Sequence, residues 1–260
     1  MPQFLVLLGS ISLAAIAIFL SGQCCDIWSS PYLIFPASFQ TPREHKYTTH
    51  IVSIDPFMVY IDGFLTNDEV AHVLGLGSSR YKASLVTSDM DEGRLSDSRT
   101  SQTAFLHSND STIATIKGRA EDFLGLAEYS IVETIQLTAY SSPNDKIKLH
   151  ADWFKPPLPR DSEGREYNRM GTFFIYLDAS CTAGETWFPN LPAPPPEKGH
   201  MYRTTADRRG LAVVPRAGSG IFWANLNVNG SGDIRNKHAG LPVGTGSKVG
   251  MNIFVRQYMS

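Results

Sequence analysis

The stretch IKLHADWF, residues 147–154, is a short run of strand-forming residues that carries one histidine and one aspartate two positions apart. On a β-strand, residues i and i+2 point to the same face, so His150 and Asp152 could be aimed at a single metal ion. An H-x-D triplet alone is weak evidence for a metal site. The rest of the chain must therefore supply a third ligand and a reason for the metal.

The sequence around this stretch has the character of an antiparallel β fold. From residue 131 onward, runs rich in β-branched and aromatic residues are separated by Gly, Pro and Asn; they are VETIQLTAY, IKLHADWF, GTFFIYLD, LAVVPRAGSGIFWANL and KVGMNIFVRQY. Strands of this kind close into a barrel or a jelly roll. The segments PPLPRDSEGREYN and PNLPAPPPEKGHMYRTTADRRG are predicted to be irregular insertions, which are either lids or substrate-binding elements, or stiff surface loops.

The half of the chain that precedes these runs is predicted to be largely helical. PFMVYIDGFLTNDEVAHVLGLG predicts a short strand and then a helix that Thr66 caps, with Glu69 completing a capping box. STIATIKGRAEDFLGLA predicts a second amphipathic helix, capped by Ser111 or Thr112. We therefore expect an α+β fold in which a helical half is followed by a β half.

The N-terminus is predicted to be a membrane segment. Residues 1–22 carry no charged side chain and are long enough to cross a bilayer core, which favours an uncleaved signal anchor over a cleaved signal peptide or a buried core helix. Residues 23–50 are predicted to be a linker, and residues 51–260 the folded domain. Flanking charge is too sparse to fix the orientation. Sequons at Asn109 and Asn229 slightly favour a lumenal domain, so the endoplasmic reticulum membrane is the expected location, with secretion as the alternative.

The composition is that of an ordinary globular protein with a substantial core. The 260 residues include 23 basic and 25 acidic side chains, for a formal net charge of −2. No long basic run is present, so nucleic acid is not expected as a partner. Three cysteines imply no disulfide framework, and the adjacent Cys24 and Cys25 are candidates for palmitoylation beside the predicted anchor.

A third metal ligand and a cation lie near the C-terminus. The stretch IRNKHAGLPVGTGSKVGMNIFVRQY contains His238 and, ten residues later, Lys248. Two histidines and one carboxylate form the facial triad of non-haem Fe(II) oxygenases, which leaves open positions on the metal. A lysine buried in the same barrel would be costly without an anion partner, and a dicarboxylate cosubstrate would provide one.

These motifs together resemble the prolyl 4-hydroxylase family of 2-oxoglutarate and Fe(II)-dependent dioxygenases. The resemblance extends from about Pro56 to Tyr258 and includes DSRTSQTAFL at 97–106, an R-x-x-T motif from Arg169 to Thr172, AGETWFP, and HAGLPVGTGSK. It implies a double-stranded β-helix (jelly-roll) core with supporting N-terminal helices. It also implies coupling of 2-oxoglutarate decarboxylation by O2 to hydroxylation of a C–H bond, with succinate and CO2 as products and ascorbate as the reductant.

The resemblance also implies roles for individual residues. His150, Asp152 and His238 would bind Fe(II), and Lys248 would pair with the distal carboxylate of 2-oxoglutarate. Tyr140 and Thr186 occupy the positions where the family places hydroxyl groups near that carboxylate. Candidate substrate contacts are Arg99, Trp153, Arg169 and Trp223.

Departures from the family pattern leave the substrate open. Ile147 stands where the family has a tyrosine, Phe254 where it has a tryptophan, and TAGET replaces GGET, which places Ala183 at a glycine position. The substrate is therefore expected to be either a prolyl peptide or a small metabolite. Asp152 keeps the carboxylate that related halogenases lack, so hydroxylation or desaturation is expected. A non-catalytic binding or assembly module is the main alternative, and a cupin-like metal protein that does not use 2-oxoglutarate is another.

Overall fold

The computed structural model describes residues 45–83, 101–107, 109–125, 132–141, 145–156, 158–195, 198–205 and 209–259. The predicted membrane segment, residues 1–22, lies outside these ranges, as does the predicted linker up to residue 44. Within the described ranges, no helix combines the length and the apolar character needed to span a membrane. The described unit begins at His45.

The described chain is mainly β-structure. Its helices are α1 (Asn67–Gly77) and α2 (Ser111–Phe123), together with a 3-10 turn at Ile234–Asn236. Its strands are β1 (Thr48–Ser53), β2 (Met58–Asp62), β3 (Lys82–Ala83), β4 (Gln102–Leu106), β5 (Ile135–Tyr140), β6 (Ile147–His150), β7 (Tyr167–Ala179), β8 (Thr186–Phe188), β9 (Tyr202–Thr204), β10 (Leu211–Val213), β11 (Gly220–Ala224), β12 (His238–Gly240) and β13 (Lys248–Tyr258).

The strands form two antiparallel sheets. The larger sheet has the order β1-β2-β11-β7-β13-β5-β4-β3, and the smaller sheet has the order β6-β12-β8-β10-β9. Residues that face each other across neighbouring strands point to the same face. Lys248 lies opposite Tyr140 in the larger sheet, and His238 lies opposite His150 in the smaller sheet. The ladders therefore bring together residues that are far apart in the sequence.

Two apolar clusters hold these layers together. In the first, Val73 of α1 and Ile113 and Ile116 of α2 pack on one face of the larger sheet, against side chains such as Leu137 and Phe173. The second cluster joins the two sheets. It combines side chains of β2, β7 and β11 with side chains of β8, β9 and β10; its members include Tyr60, Tyr176, Ile221, Trp223, Phe188, Leu211, Val213 and Tyr202. The result is a jelly-roll-like sandwich with helices on one outer face.

The structure corrects several sequence-based expectations about the elements. The first half is not predominantly helical, because β1, β2, β3 and β4 extend the larger sheet at both of its edges. β1 begins at Thr48, ahead of the predicted domain start at Ile51, because Thr48 already pairs with Asp62. The insertion predicted to be irregular contains β9, which pairs with β10.

The helix starts were predicted with mixed success. The capping box of Thr66 and Glu69 is present, with both hydrogen bonds formed. The cap of α2 was wrong by one or two residues, since Asp110 and not Ser111 or Thr112 is the N-cap. Its carboxylate accepts a hydrogen bond from the backbone N–H of Ile113. A carboxylate at this position also has a favourable interaction with the helix dipole.

Candidate metal centre

His150, Asp152 and His238 converge at one end of the smaller sheet. One potential ligand atom from each residue lies within 4.8 Å of the others. Nε2 of His150 is 3.6 Å from Oδ1 of Asp152, and Nε2 of His238 is 3.8 Å from Oδ2. Two imidazole nitrogens and one carboxylate are the donor set that suits a non-haem Fe(II) ion, so the residues present fit that metal.

Main-chain carbonyl groups fix the orientation of both imidazoles. Nδ1 of His150 lies 2.9 Å from the carbonyl oxygen of Lys148, and Nδ1 of His238 lies 3.0 Å from that of Asn236. Because a carbonyl oxygen only accepts, each Nδ1 must carry the proton and donate it. Each Nε2 then keeps its lone pair, which is the form of histidine that binds a metal.

Asp152 is not placed by the strand that carries His150. The sequence-based argument put both residues on one strand face, but β6 ends at His150 and Asp152 follows beyond that end. Two residues of β7 hold Asp152 instead. The Thr172 hydroxyl donates to Oδ2 at 2.8 Å, and Arg169 donates to the main-chain oxygen of Asp152 at 3.4 Å. The two ends of the R-x-x-T motif thus meet one candidate ligand.

The surroundings of Asp152 favour its ionised form. Burial by itself raises the pKa of this carboxyl group, but the imidazoles of His238 and His150, the guanidinium of Arg169 and the Thr172 hydroxyl together hold the pKa below its ordinary value. Asp152 is therefore a carboxylate, as a metal ligand must be.

Lys248 is a buried cation in the larger sheet, opposite Tyr140. It is the first residue of β13 and has no exposed surface, and burial lowers the pKa of its ammonium group to about 8. Its Nζ donates to the carbonyl oxygen of Gly184 at 2.6 Å and lies 4.0 Å from the centre of the Tyr140 ring. Among the residues that the structure describes, no carboxylate forms an ion pair with Lys248. A cation in these surroundings favours an anionic ligand, since burial of an uncompensated charge is costly.

The two predicted hydroxyl groups, on Tyr140 and Thr186, have different surroundings. Tyr140 is buried and lies opposite Lys248 in the β5–β13 ladder. The Thr186 hydroxyl lies 2.8 Å from the hydroxyl of Tyr176, which donates to the carbonyl oxygen of Val213 at 3.1 Å. The single proton of Tyr176 is thereby used, so Thr186 donates to Tyr176. Their contact with 2-oxoglutarate remains a prediction, and Tyr176 is a neighbour that the sequence analysis missed.

Three of the predicted substrate contacts lie beside the cluster. Trp153 is half-buried and donates to the carbonyl oxygen of Asp233 at 3.3 Å. Arg169 forms two 3.0 Å contacts with Glu133 and covers the Phe254 ring at 3.6 Å. Trp223 is fully buried, with its ring centre 4.7 Å from that of His238. Arg99 lies outside the described residues.

The sequence analysis also missed the residues that contact Thr172 and Arg169, the two side chains that hold Asp152. Asn225 donates to the Thr172 hydroxyl oxygen at 2.9 Å, and Glu133 holds Arg169. The R-x-x-T motif was a usable signal for Thr172, which lies in the predicted run GTFFIYLD. Arg169 precedes that run, because β7 begins earlier, at Tyr167. No local pattern marks Asn225 or Glu133.

Comparison with known proteins places this site in a family context. Residues 135–256 match the model of the 2OG-Fe(II) oxygenase superfamily. The Arabidopsis thaliana protein named probable prolyl 4-hydroxylase 4 is 30% identical over 228 residues, which cover 85% of this chain and 73% of that relative. Probable prolyl 4-hydroxylase 6 from the same plant is 30% identical over 189 residues; the match covers 72% of this chain and only 64% of that relative's length.

The fold is similar to that of a solved viral enzyme. The viral collagen prolyl hydroxylase from Paramecium Bursaria Chlorella virus-1, solved as a 2OG complex, superimposes with a TM-score of 0.54 at 22% sequence identity. The superposition covers 76% of this chain and 95% of that chain.

Proposed function

Because the chain belongs to the prolyl 4-hydroxylase family of 2-oxoglutarate and Fe(II) oxygenases, we propose that it is an active hydroxylase of that type. The observation that carries the proposal is the convergence of His150, Asp152 and His238 at one point of the fold. A non-catalytic module would have no need of this donor set, nor of a buried lysine.

Each part of the site has a definite task in this proposal. His150, His238 and ionised Asp152 would hold Fe(II) and leave open positions on it. When bound, Fe(II), 2-oxoglutarate and O2 supply the oxidising chemistry, with ascorbate proposed as the reductant that maintains the ferrous state. Lys248 would hold the distal carboxylate of 2-oxoglutarate, with Tyr140 and Thr186 beside it.

The proposed substrate is a prolyl peptide, hydroxylated at a C–H bond, and a small metabolite is the second candidate. The names of the relatives support a prolyl substrate. Phe254, in place of the family tryptophan, supports a substrate preference different from theirs, because it covers the guanidinium of Arg169 beside Asp152. An aromatic ring and a guanidinium near the metal cluster offer stacking and hydrogen bonding to a bound substrate.

The test is turnover by the full chain loaded with Fe(II) and supplied with 2-oxoglutarate, O2 and ascorbate. One arm receives a proline-rich peptide, and a matched arm receives the same peptide with alanine in place of proline. Succinate is quantified, and mass spectrometry detects the addition of one oxygen atom to the peptide. Asp152→Ala is the control variant.

Each result of this test has a clear meaning. Proline-dependent succinate formation with an oxidised peptide is the expected outcome. Succinate formation that a metabolite extract stimulates and the peptide does not would move the substrate to the small-molecule class. If the loaded protein consumes no 2-oxoglutarate in a metal-dependent way under any of these conditions, the catalytic proposal is overturned.

We also propose that residues 1–22 attach the protein to the endoplasmic reticulum membrane and that the domain faces the lumen. The uncharged apolar character of this segment supports attachment. The exposure of Asn109 and Asn229, which begin the two sequons, supports a lumenal domain. A mass shift sensitive to glycosidase would support the lumenal location, and its absence in cells that glycosylate secreted proteins would count against it.

A further inference from the structure

A chain of three buried polar side chains ends on one oxygen of Asp152. Thr172 and Asn225 have no exposed surface, and Asp152 is 8% exposed. Asn225 Nδ2 lies 2.9 Å from Thr172 Oγ1, and Thr172 Oγ1 lies 2.8 Å from Asp152 Oδ2. Buried polar groups that hydrogen-bond to one another rigidify their surroundings, and breaking such a chain leaves a group without a partner. Within the described chain, Oδ1 of Asn225 is itself buried with no hydrogen-bond partner.

The direction of this chain follows from the chemistry of its groups. An ionised carboxylate only accepts, so the single proton of the Thr172 hydroxyl must point to Asp152. The Thr172 oxygen can then only accept from its other neighbour. Asn225 must therefore present its NH2 group and not its carbonyl oxygen to Thr172. The acceptor role of Asp152 therefore fixes the donor and acceptor roles of Thr172 and then of Asn225.

The far end of the chain is fixed to the backbone. The main-chain N–H of Asn225 donates to the main-chain oxygen of Met170 at 2.8 Å. The main-chain oxygen of Asn225 accepts from the main-chain N–H of Asp233 at 2.9 Å. Thr172 lies within β7 and pairs with Trp223 of β11. The hydroxyl that reaches Asp152 thus extends from a rigid sheet, and it determines how the carboxylate is rotated.

We infer that Asn225 and Thr172 are positioning residues that keep Asp152 a one-oxygen ligand of the metal, through Oδ1. The inference rests on the proposed function, since it presupposes that His150, Asp152 and His238 bind Fe(II). The Thr172 hydroxyl donates to Oδ2, which weakens that oxygen as a metal ligand and leaves Oδ1, which accepts no hydrogen bond from the described side chains. Turning both oxygens toward the metal would strain the hydrogen bond from Thr172. With one donor atom from each ligand, three of six positions stay open.

The open positions matter for a reaction with two further metal-bound reactants. A cosubstrate that chelates through a keto oxygen and a carboxylate oxygen would take two positions, and O2 would require the third. A carboxylate that bound through both oxygens would take that third position. The Asn225–Thr172 pair thus protects the O2 position and has no direct contact with substrate.

The test counts exchangeable water molecules on Mn(II) bound in place of iron. Water-proton relaxation is measured for wild type, Thr172→Val, Asn225→Ala and Thr172→Ser, with Thr115→Val on the exposed face of α2 as a matched threonine control. Wild type and Thr115→Val should carry about three exchangeable waters, as expected for three protein ligands on a six-coordinate ion. Thr172→Val and Asn225→Ala should carry about two, so relaxivity should fall by roughly a third. Thr172→Ser keeps the hydroxyl and should restore the wild-type value.

A kinetic comparison separates positioning from a general structural effect. The KM for O2 should rise several-fold in Thr172→Val and Asn225→Ala, while the KM for 2-oxoglutarate stays within about twofold of the wild-type value. If Thr172→Val does not fold, Asn225→Ala and Thr172→Ser together still test the inference. Unchanged relaxivity in a folded Asn225→Ala protein overturns it. Failure of wild type to bind Mn(II) would instead overturn the proposed function, so the two failures are distinguishable.

Discussion

Replacing Lys248 by methionine should change the stability of the domain and its affinity for 2-oxoglutarate in opposite directions. Methionine has a similar length and no charge. Lys248 is fully buried, and burial lowers the pKa of its ammonium from 10.5 to about 8. Between these pH values the unfolded chain binds the proton and the folded chain does not. The stability of wild type therefore rises as the pH increases from about 8 to 10.5.

The size of the stability effect follows from these pKa values. Below about pH 8 the lysine is protonated in both states, and the whole electrostatic cost of its burial, about 3 kcal/mol, is present. Loss of the hydrogen bond to Gly184 offsets this by about 1 kcal/mol. Metal-free Lys248→Met should therefore be more stable than wild type at pH 7 by about 2 kcal/mol, or roughly 4–8 °C in Tm for a domain of this size. The advantage should disappear near pH 10, where the remaining electrostatic cost equals the lost hydrogen bond, and above pH 10.5 the variant should be less stable than wild type by about 1 kcal/mol.

The effect on the cosubstrate has the opposite sign. Removing one member of a buried charge pair costs about 2–5 kcal/mol, which corresponds to a loss of roughly 30- to 3000-fold in affinity. Lys248→Arg keeps the charge, but its larger planar group fits a point-charge site poorly, so an intermediate loss is expected.

Two measurements decide between the outcomes. Calorimetry of metal-free wild type and Lys248→Met at pH 7 and pH 10 gives the stability difference, and the dependence of succinate formation on 2-oxoglutarate concentration gives the affinity difference. A variant that melts at or below the wild-type temperature at pH 7 would refute the electrostatic cost. If Lys248→Met saturates at the wild-type 2-oxoglutarate concentration, the lysine is not the anchor, and Arg256 on the same strand becomes the next candidate.

Four further changes test other parts of the site and the chain. Asp152→Ala should abolish succinate formation and weaken metal binding at least tenfold, while far-ultraviolet circular dichroism stays at the wild-type value; normal turnover would exclude this ligand. Thr186→Val removes a hydroxyl that would have to turn from Tyr176 to 2-oxoglutarate, and it should weaken 2-oxoglutarate binding by roughly 0.5–3 kcal/mol, read as a rise in the KM for 2-oxoglutarate with an unchanged affinity for the metal. Ala183 has a φ of 60°, so Ala183→Gly should raise the free energy of unfolding by up to about 1 kcal/mol and Ala183→Val should lower it. The urea midpoints should therefore decrease in the order Gly, Ala, Val, and any other order would contradict backbone strain at this position. Deletion of residues 1–22 should move the chain from the carbonate-washed membrane fraction to the supernatant, and recovery of the full chain in the supernatant would exclude the anchor.

The sequence located the candidate site because its residues are placed by local pattern. His238 and Lys248 each begin a strand, as their positions in the C-terminal motif suggested. The capping box at Thr66 was correct for the same reason, since a helix start depends on residues only three positions apart. Strand runs with apolar residues on alternate positions predicted the existence of the sheets, although not the order of their strands.

The sequence by itself thus determined which residues are available for chemistry, and the tertiary structure determined how they are held. Asp152 is oriented by Thr172, 20 residues away, and Thr172 is oriented by Asn225, a further 53 residues along the chain. The proton of Thr186 is directed to Tyr176, which lies on a strand of the other sheet. No local pattern encodes these contacts, because each forms only when the two sheets pack together or when distant strands pair. A short-range pattern can therefore nominate a candidate metal ligand, but only the folded sheets decide which of its oxygens accepts the hydrogen bond from Thr172.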